Sequence, residues 1–387
     1  MKIAQLNANG LEQHKDEVAL FLKQNQTDIL LISETHFTSK NYFSIPGYEL
    51  CYINHPDGTA HGGTAIIIKN TITYYEQLKH AEEAIQATSI KVKGLLYEIT
   101  VAAVYCPPRY NLKQEHFEEF FQTLGPKFIA GGDYNSKHIQ WGSHLTTTKG
   151  RELSKVLQKE NYSYLSTGSP TYWPTDTNKT PDLLDFFITS GISTTNTDIQ
   201  ASYDLTSDHT PKIVTISTSV MVRQPAPRLH TSQTNWETYQ NAIRDTADLR
   251  TKLKTCEDVQ IATSNFISVL QQAAQEATPT RNPLRPTNNI PSDIKKLVAV
   301  KRKARSTWQK THTPEDPRLF NQASNKLKAV LHEMRNASFA AYFTTLRRDD
   351  NSIWKPIKTM KKPQTPLPPI RKTLHRQDHG PRATKKK

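Results

Sequence analysis

Long apolar runs are what this chain of 387 residues most plainly lacks: no stretch of about 18 apolar residues exists to span a bilayer. Cysteine is scarce. Cys51, Cys106 and Cys256 form an odd set with no paired spacing, which composes no zinc site and fits a reducing compartment. Met1-Lys2-Ile3-Ala4 enters a strand-like pattern at once, so no signal peptide is expected. No internal repeat argues for a solenoid.

Acid is scarce in one half only. Residues 216–387 carry 32 Lys+Arg against 13 Asp+Glu, whereas residues 1–215 carry 18 against 23, within a net charge of +14. The basic half is the electrostatic candidate for a polyanionic partner. The acidic half fits carboxylates gathered around a cation.

Residues 1–218 read as alternating strands and helices. Strands are predicted at 2–7, 28–33, 48–54, 64–69, 87–92, 96–105, 127–130, 183–189 and 212–218, and helices at 11–24, 113–124 and 149–160. The turn-rich stretch with Pro56-Asp57-Gly58 and Gly62-Gly63 predicts a hairpin. Many strands, few helices and several hairpins predict packed mixed sheets flanked by helices. After Val220 the pattern turns helical, at 235–250, 252–276, 291–311 and 317–347. Beyond Lys361 a Pro- and Lys-rich composition predicts disorder. The domain reading is therefore 1–218, a linker at 219–234, a basic helical region at 235–360 and a disordered tail at 361–387.

Chemistry-bearing residues sit at strand ends, where α/β enzymes place reactive groups. Asn7-Ala8-Asn9-Gly10, Ser33-Glu34-Thr35-His36, Tyr105-Cys106-Pro107-Pro108 and Gly132-Asp133-Tyr134-Asn135 each end a strand. Asp182-Leu183-Leu184-Asp185 starts one, and Ser207-Asp208-His209 precedes the last. Phosphodiester hydrolysis needs a hard cation, a base for water and donors for the transition state. Glu34 fits an Mg²⁺ ligand. Asp133, behind two glycines that permit close approach of substrate, fits the base. Asn7 and Asn135 suit orienting roles, and His209 suits a donor whose tautomer Asp185 fixes. Each piece alone is also an ordinary turn, cap or core residue; the ordered set is what points to chemistry.

That set resembles the endonuclease/exonuclease/phosphatase family over about residues 1–218. The resemblance implies a DNase I-like four-layered α/β sandwich, an α/β fold of two packed mixed sheets flanked by helices and followed by a basic helical tail. It implies Glu34 and Asp208 beside an Mg²⁺ or Mn²⁺ ion, Asp133 as the water-activating acid and Asn135 as its substrate-orienting partner. Tyr105 would contact phosphate, and Asp185 would support His209. A narrower likeness is to the endonucleases of non-LTR retrotransposons, the jockey group, through Asn7-Ala8-Asn9-Gly10-Leu11, Asp133-Tyr134-Asn135-Ser136-Lys137-His138 with Trp141-Gly142-Ser143, and Ser169-Pro170-Thr171-Tyr172-Trp173-Pro174. Asn9 stands where apurinic endonucleases carry an acid, which sets this chain apart from abasic-site repair.

His138, Trp141 and Thr171 are accordingly candidate DNA contacts, as are Lys301 and Arg302 in the basic stretch 295–310, which also reads as a nuclear import signal. The tail resembles the linker ahead of a reverse transcriptase. Since no Tyr/Phe-x-Asp-Asp motif occurs, the expectation is a frame truncated before the polymerase, without polymerase activity. DNA, and secondarily retroelement RNA, is the expected partner, with no membrane. Two other readings stay open: a phosphoinositide or sphingomyelin phosphodiesterase of the same fold, and a non-catalytic remnant that binds nucleic acid.

Overall fold

A computed structural model describes residues 1–94, 97–176, 178–193, 197–222, 229–231, 233–247, 250, 253–279, 290–311, 313, 315–348, 352–354 and 356–357. The tail 361–387 lies outside them, as does part of the expected linker. In chain order the elements are β1 (Lys2–Asn7), α1 (Lys15–Asn25), β2 (Ile29–Ser33), β3 (Tyr48–Ile53), β4 (Thr64–Lys69), β5 (Tyr74–Glu76), β6 (His80–Ala81), β7 (Gln86–Lys93), β8 (Glu98–Tyr105), α2 (Gln114–Leu124), β9 (Phe128–Asp133), α3 (Thr148–Lys159), β10 (Ser163–Leu165), β11 (Asp185–Ser190), β12 (Asp198–Ala201) and β13 (Lys212–Thr215). Four helices follow: α4 (Trp236–Thr246), α5 (Cys256–Ala277), α6 (Ser292–Thr311) and α7 (Asp316–Thr344). None of the described helices is long and apolar enough to cross a membrane.

The strands form two mixed sheets, ordered β12-β13-β1-β2-β4-β3 and β10-β11-β9-β8-β7-β5, with β6 paired to β7. The hairpin expected around residues 54–64 is β3–β4. Strand alternation sorts the side chains into layers. Ile3, Ile29, Leu31, Ile66 and Ile68 of the first sheet meet Ile90, Val101, Ile129 and Phe187 of the second in a shared apolar layer. Each such side chain contributes about 1.5–3 kcal/mol on full burial.

The opposite faces are covered by helices. In α1, Val18, Phe21 and Leu22 recur at helical spacing and pack on Leu6, Leu30 and Ile32. Phe117, Phe120 and Phe121 of α2, with Leu153, Val156 and Leu157 of α3, pack on Phe128, Ala130 and Phe186. The result is a helix–sheet–sheet–helix sandwich. Its short strands β5, β6, β10 and β12 have no counterpart in the sequence reading, being two to four residues long.

The compact units divide the chain differently from its composition. The described residues of Met1–Arg223 and Ile290–Lys387 form one unit, and those of Gln224–Asn289 form a second. The basic helices α6 and α7 thus belong with the sandwich. Ile294 and Val298 of α6 and Leu327 of α7 share an apolar cluster with Leu20 of α1. Within the second unit, α4 begins at Asn235, whose side chain caps the Glu237 and Thr238 amides, and Ala273, Ala274 and Ala277 of α5 are buried.

Candidate active site

One periodicity builds the site. Along β1, Ile3 faces the second sheet, so Gln5 and Asn7 do as well; along β2, Ile29 and Leu31 are followed on that face by Ser33. In the second sheet Val101 and Ala103 lead to Tyr105, Ile129 leads to Asp133, and Phe187 shares its face with Asp185. Asn7 is in register with Ser33, and Asp133 with both Tyr105 and Asp185. The space between the sheets is therefore apolar in its middle and polar at one end.

The contacts at that end are dense. The Asn7 amide donates to Glu34 Oε1 at 2.8 Å and to Asp133 Oδ2 at 2.9 Å, tying carboxylates from the two sheets to one nitrogen. Asp133 Oδ1 accepts from the Asn135 amide N–H at 2.9 Å. Ser33 Oγ donates to the Val104 carbonyl and accepts from the Asp133 N–H, pinning the sheets together. His209 Nδ1 meets Asp185 Oδ2 at 2.6 Å, and Gln5 donates to Asp185 Oδ1 at 2.8 Å. The Tyr105 phenol lies within the field of Glu34, and His36 Nε2 lies 3.3 Å from the same carboxylate.

Backbone strain concentrates here. Asn9, Glu34, His36 and Asn135 all have left-handed φ values, between 43° and 54°. For residues with a Cβ that conformation costs energy and persists where surrounding bonds enforce it. The Glu34 carbonyl accepts from Gly10 N–H, and the Thr35 and His36 amides donate to the carbonyls of Gly63 and Gly62. The strand end is clamped from both sides.

Protonation follows from crowding. Burial, then the Asp185 and Glu34 charges, push Asp133 up to about 8 against the pull of His209. Burial works against a charged His209, yet Asp185 outweighs it and raises the imidazole to about 10. Burial likewise opposes ionisation of Asp185, but His209 and its other donors hold it below the ordinary carboxylate range. Burial and the Glu34 charge drive the Tyr105 phenol far upward, so it remains a donor.

The donor set fits a divalent cation. Glu34, Asp133, Asp185 and Asp208 all lie in the field of His209, and the surplus of negative charge shows in the raised Asp133. Asp133, Asp185 and His209 have ligating atoms within 4.8 Å of one another, but Asp185 and His209 are committed to each other. Glu34, with hard oxygen atoms and a side chain 21% exposed, and the half-buried Asp208 are the acids of the set that solvent reaches. Another group of ligating type, His55, Asp57 and His61, is closed by the His55–Asp57 contact of 2.8 Å and by Thr59 bonds to Asp57 and His61.

Three expected substrate contacts are corrected by burial. Trp141 is 1% exposed, donates its indole N–H to the Ser136 carbonyl and stacks on Phe186. Thr171 is fully buried, with its hydroxyl oxygen accepting from the Leu184 and Asp185 amides; it sets the start of β11. Lys301 is fully buried against Glu17, 2.8 Å away. Arg302 pairs with Asp204 but keeps half its side chain exposed, and His138 stays half-buried as the cap of a short 3-10 turn. The Gly131-Gly132 pair serves sheet packing rather than substrate approach: a methyl on Gly131 would meet the Phe187 ring, and one on Gly132 the Val104 carbonyl.

Gln5 and Arg305 escaped the sequence reading. Gln5 lies two residues before Asn7, so alternation alone puts it on the same face. Arg305 continues the stripe Ile294, Val298, Lys301, and that helical spacing is the signal that it points inward.

Two packed mixed sheets between helices, with this polar end, define a DNase I-like sandwich of the endonuclease/exonuclease/phosphatase class. Residues 99–213 match the family described as Endonuclease-reverse transcriptase. The chain is 30% identical over 378 residues to the RNA-directed DNA polymerase from mobile element jockey of Drosophila melanogaster, covering 96% of this chain and 41% of that protein. It is 29% identical over 376 residues to the probable RNA-directed DNA polymerase from transposon X-element of the same species, at 96% and 41% coverage. The chain thus spans about two fifths of the length of these relatives. Among solved structures, the endonuclease domain of TRAS1, a telomere-specific non-LTR retrotransposon, is similar at 21% identity with a TM-score of 0.48, over 56% of this chain and 98% of that one. The Xenopus laevis APE2 catalytic domain is similar at 16% identity and a TM-score of 0.46, over 59% and 95%. The fold and its polar strand-end site are those of a DNase I-like sandwich, and the matched segment makes the chain similar to the endonuclease-reverse transcriptase family of mobile elements.

Proposed function

We propose that this chain is a divalent-metal-dependent endonuclease that hydrolyses a DNA phosphodiester and leaves a 3′-hydroxyl nick, the primer end that reverse transcription at a target site requires. The observation that carries it is the Asn7 amide joining Glu34 and Asp133 beside the buried Asp185–His209 pair. The mobile-element polymerases it matches supply the reason for DNA as substrate, and the nucleus is the compartment this reading expects.

Held by Glu34 and Asp208, Mg²⁺ or Mn²⁺ would supply Lewis acidity to a phosphoryl oxygen. Asp133, ionised once positive charge sits beside Glu34, takes a proton from the attacking water. Asn7 and Asn135 fix that carboxylate and the water. His209, with Nδ1 given to Asp185, keeps Nε2–H for a non-bridging oxygen, where it stabilises developing charge. Tyr105 adds a neutral donor. The water oxygen bonds to phosphorus, the P–O3′ bond breaks with its electrons on O3′, O3′ takes a proton from solvent, and Asp133 releases to solvent the proton it took.

The test is conversion of supercoiled plasmid to nicked circles with Mg²⁺ or Mn²⁺ and its arrest by a chelator. Polymerase extension from the nick without prior phosphatase treatment checks the 3′-hydroxyl. Plasmid left intact with every divalent metal refutes the proposal and favours the nucleic-acid-binding remnant.

A further inference from the structure

The loop that carries Asp208 and His209 has no regular structure of its own over residues 202–208, yet its carbonyls are held in place. The holder is a side chain roughly a hundred residues away. Arg305 of α6 is fully buried, and its guanidinium donates to the carbonyls of Leu205, Ser207 (2.9 Å) and His209 (3.0 Å). These three acceptors fall at alternate positions, so one planar fork grips one edge of an extended segment. The outer grips, Leu205 and His209, bracket three residues that include Asp208, and the last grip is on the residue whose imidazole is proposed to act on the phosphate.

The surroundings complete a built socket. With its amide oxygen turned toward them, Gln309 accepts from Arg305 Nε at 3.2 Å, from Thr210 Oγ1 at 3.0 Å and from Trp173 Nε1 at 3.0 Å. Phe320 of α7 covers the guanidinium at 5.4 Å, and Trp308 sits between Phe320 and Trp173. One turn earlier, Lys301 donates to the Asp204 carbonyl at 2.7 Å and pairs with Glu17. A buried cation is costly unless its donors are all engaged. Among the described residues no carboxylate lies in the grip of Arg305; its charge is spent on backbone dipoles and on the nearby Asp208 field. Holding a fold together would need only an apolar side chain here, as Ile294 and Val298 provide further along the same face.

We propose that Arg305 is a positioning residue for the Asp208–His209 loop, so that α6, reading in sequence as linker, is part of the catalytic unit. This rests on the nuclease reading above. Loss of the fork frees the carbonyls on either side of Asp208 and His209, and the imidazole no longer meets Asp185 and substrate at once. DNA binding, which the fork does not touch, is unaffected.

The experiment compares full-length wild type with Arg305→Lys and Arg305→Ala by two independent readouts. Hydrogen exchange is followed at the amides of residues 204–210 and, as a reference, in β9. Nicking is followed at saturating plasmid with Mg²⁺, giving kcat and KM separately. The expected result is exchange at 204–210 at least tenfold faster with β9 unchanged, and kcat down about 10- to 100-fold with KM within threefold. Arg305→Lys, which can reach one or two of the carbonyls, should fall between. Unchanged exchange at 204–210 overturns the proposal, as does a raised KM with kcat intact, which would make α6 a DNA anchor instead. Should Arg305→Ala fail to fold, Arg305→Lys and Gln309→Ala decide by the same criteria. If wild type nicks nothing, the nuclease reading fails while the exchange measurement still judges the brace.

Discussion

Two buried ion pairs lie in one compact unit and have opposite meanings. Asp185 and His209 are enclosed between the sheets, with side chains 0% and 6% exposed; Glu17 and Lys301 are enclosed between α1 and α6, at 3% and 0%. Each pair is short, and each has a further partner, Gln5 in the first and the Asp204 carbonyl in the second. What differs is the next neighbour. Beside His209 stand Asp133 and the partly exposed Glu34, joined through Asn7, whereas α6 seals the Lys301 pair from solvent. Burial of charge therefore does not mark chemistry; a buried pair adjoining an acid that solvent can reach does.

That contrast breaks first if Glu34→Gln or His209→Ala nicks plasmid normally. Each should lower kcat by at least about 10²-fold, since each removes transition-state stabilisation; Glu34→Gln should keep thermal melting within a few degrees of wild type, whereas His209→Ala also strands the buried Asp185 and should cost stability. The sealed pair should behave the other way. Lys301→Met takes the ammonium from the buried Glu17, leaving it only His14 and the Thr206 donors, and should cost about 3–5 kcal/mol of stability by urea unfolding. Adding Glu17→Leu should restore most of it, because an apolar pair of similar volume suits a dry site. If the double variant is as unstable as the single, the pair has a role beyond filling its niche.

Acid titration sharpens the same point with a smaller effect. Burial alone would raise the Glu17 carboxyl, but His14 and Lys301 bring it down to about 2 from its ordinary 4.5. Burial also lowers Lys301 while Glu17 opposes it; the ionised pair prevails because the ammonium has a carbonyl as well as a carboxylate to meet. A depressed carboxyl contributes stability fully above its unfolded value and loses it as pH falls through the folded one. Urea midpoints of wild type should therefore fall between about pH 4.5 and pH 2, and the Glu17→Leu, Lys301→Met variant should lack that component. Smallest of all is the outward face of α6. Lys295, Lys296 and Lys303 are exposed, and replacing them with Gln should leave kcat unchanged. The log–log salt slope of DNA binding should flatten by about 0.9 for each phosphate that a lysine no longer neutralises. An unchanged slope removes this face from the DNA interface.

Strand alternation made much of this readable beforehand. The apolar run of β2, the hairpin β3–β4 and the strand-end motifs each have a local cause, and the motifs converge because period two turns Asn7 of one sheet and Tyr105, Asp133 and Asp185 of the other toward the space between them. Burial of the loop residues was not readable. Trp141 and Thr171 sit in motif stretches that look like surface loops, and only the packing of Phe186 and the start of β11 reveals them as internal. The charge of α6 misled for a similar reason. Composition counts Lys301 and Arg305 with Lys303, although helical spacing separates two that point inward from one that does not.

The depth of Asp133 is set by an atom that is missing. A methyl group on Gly132 would lie 1.8 Å from the Val104 carbonyl oxygen, so even alanine at that point would act as a wedge between β8 and β9. The aspartate next in line would be displaced with its strand, out of step with an asparagine anchored on the opposite sheet. Tolerances across the gap between layers are thus inherited from the narrowest place within one of them.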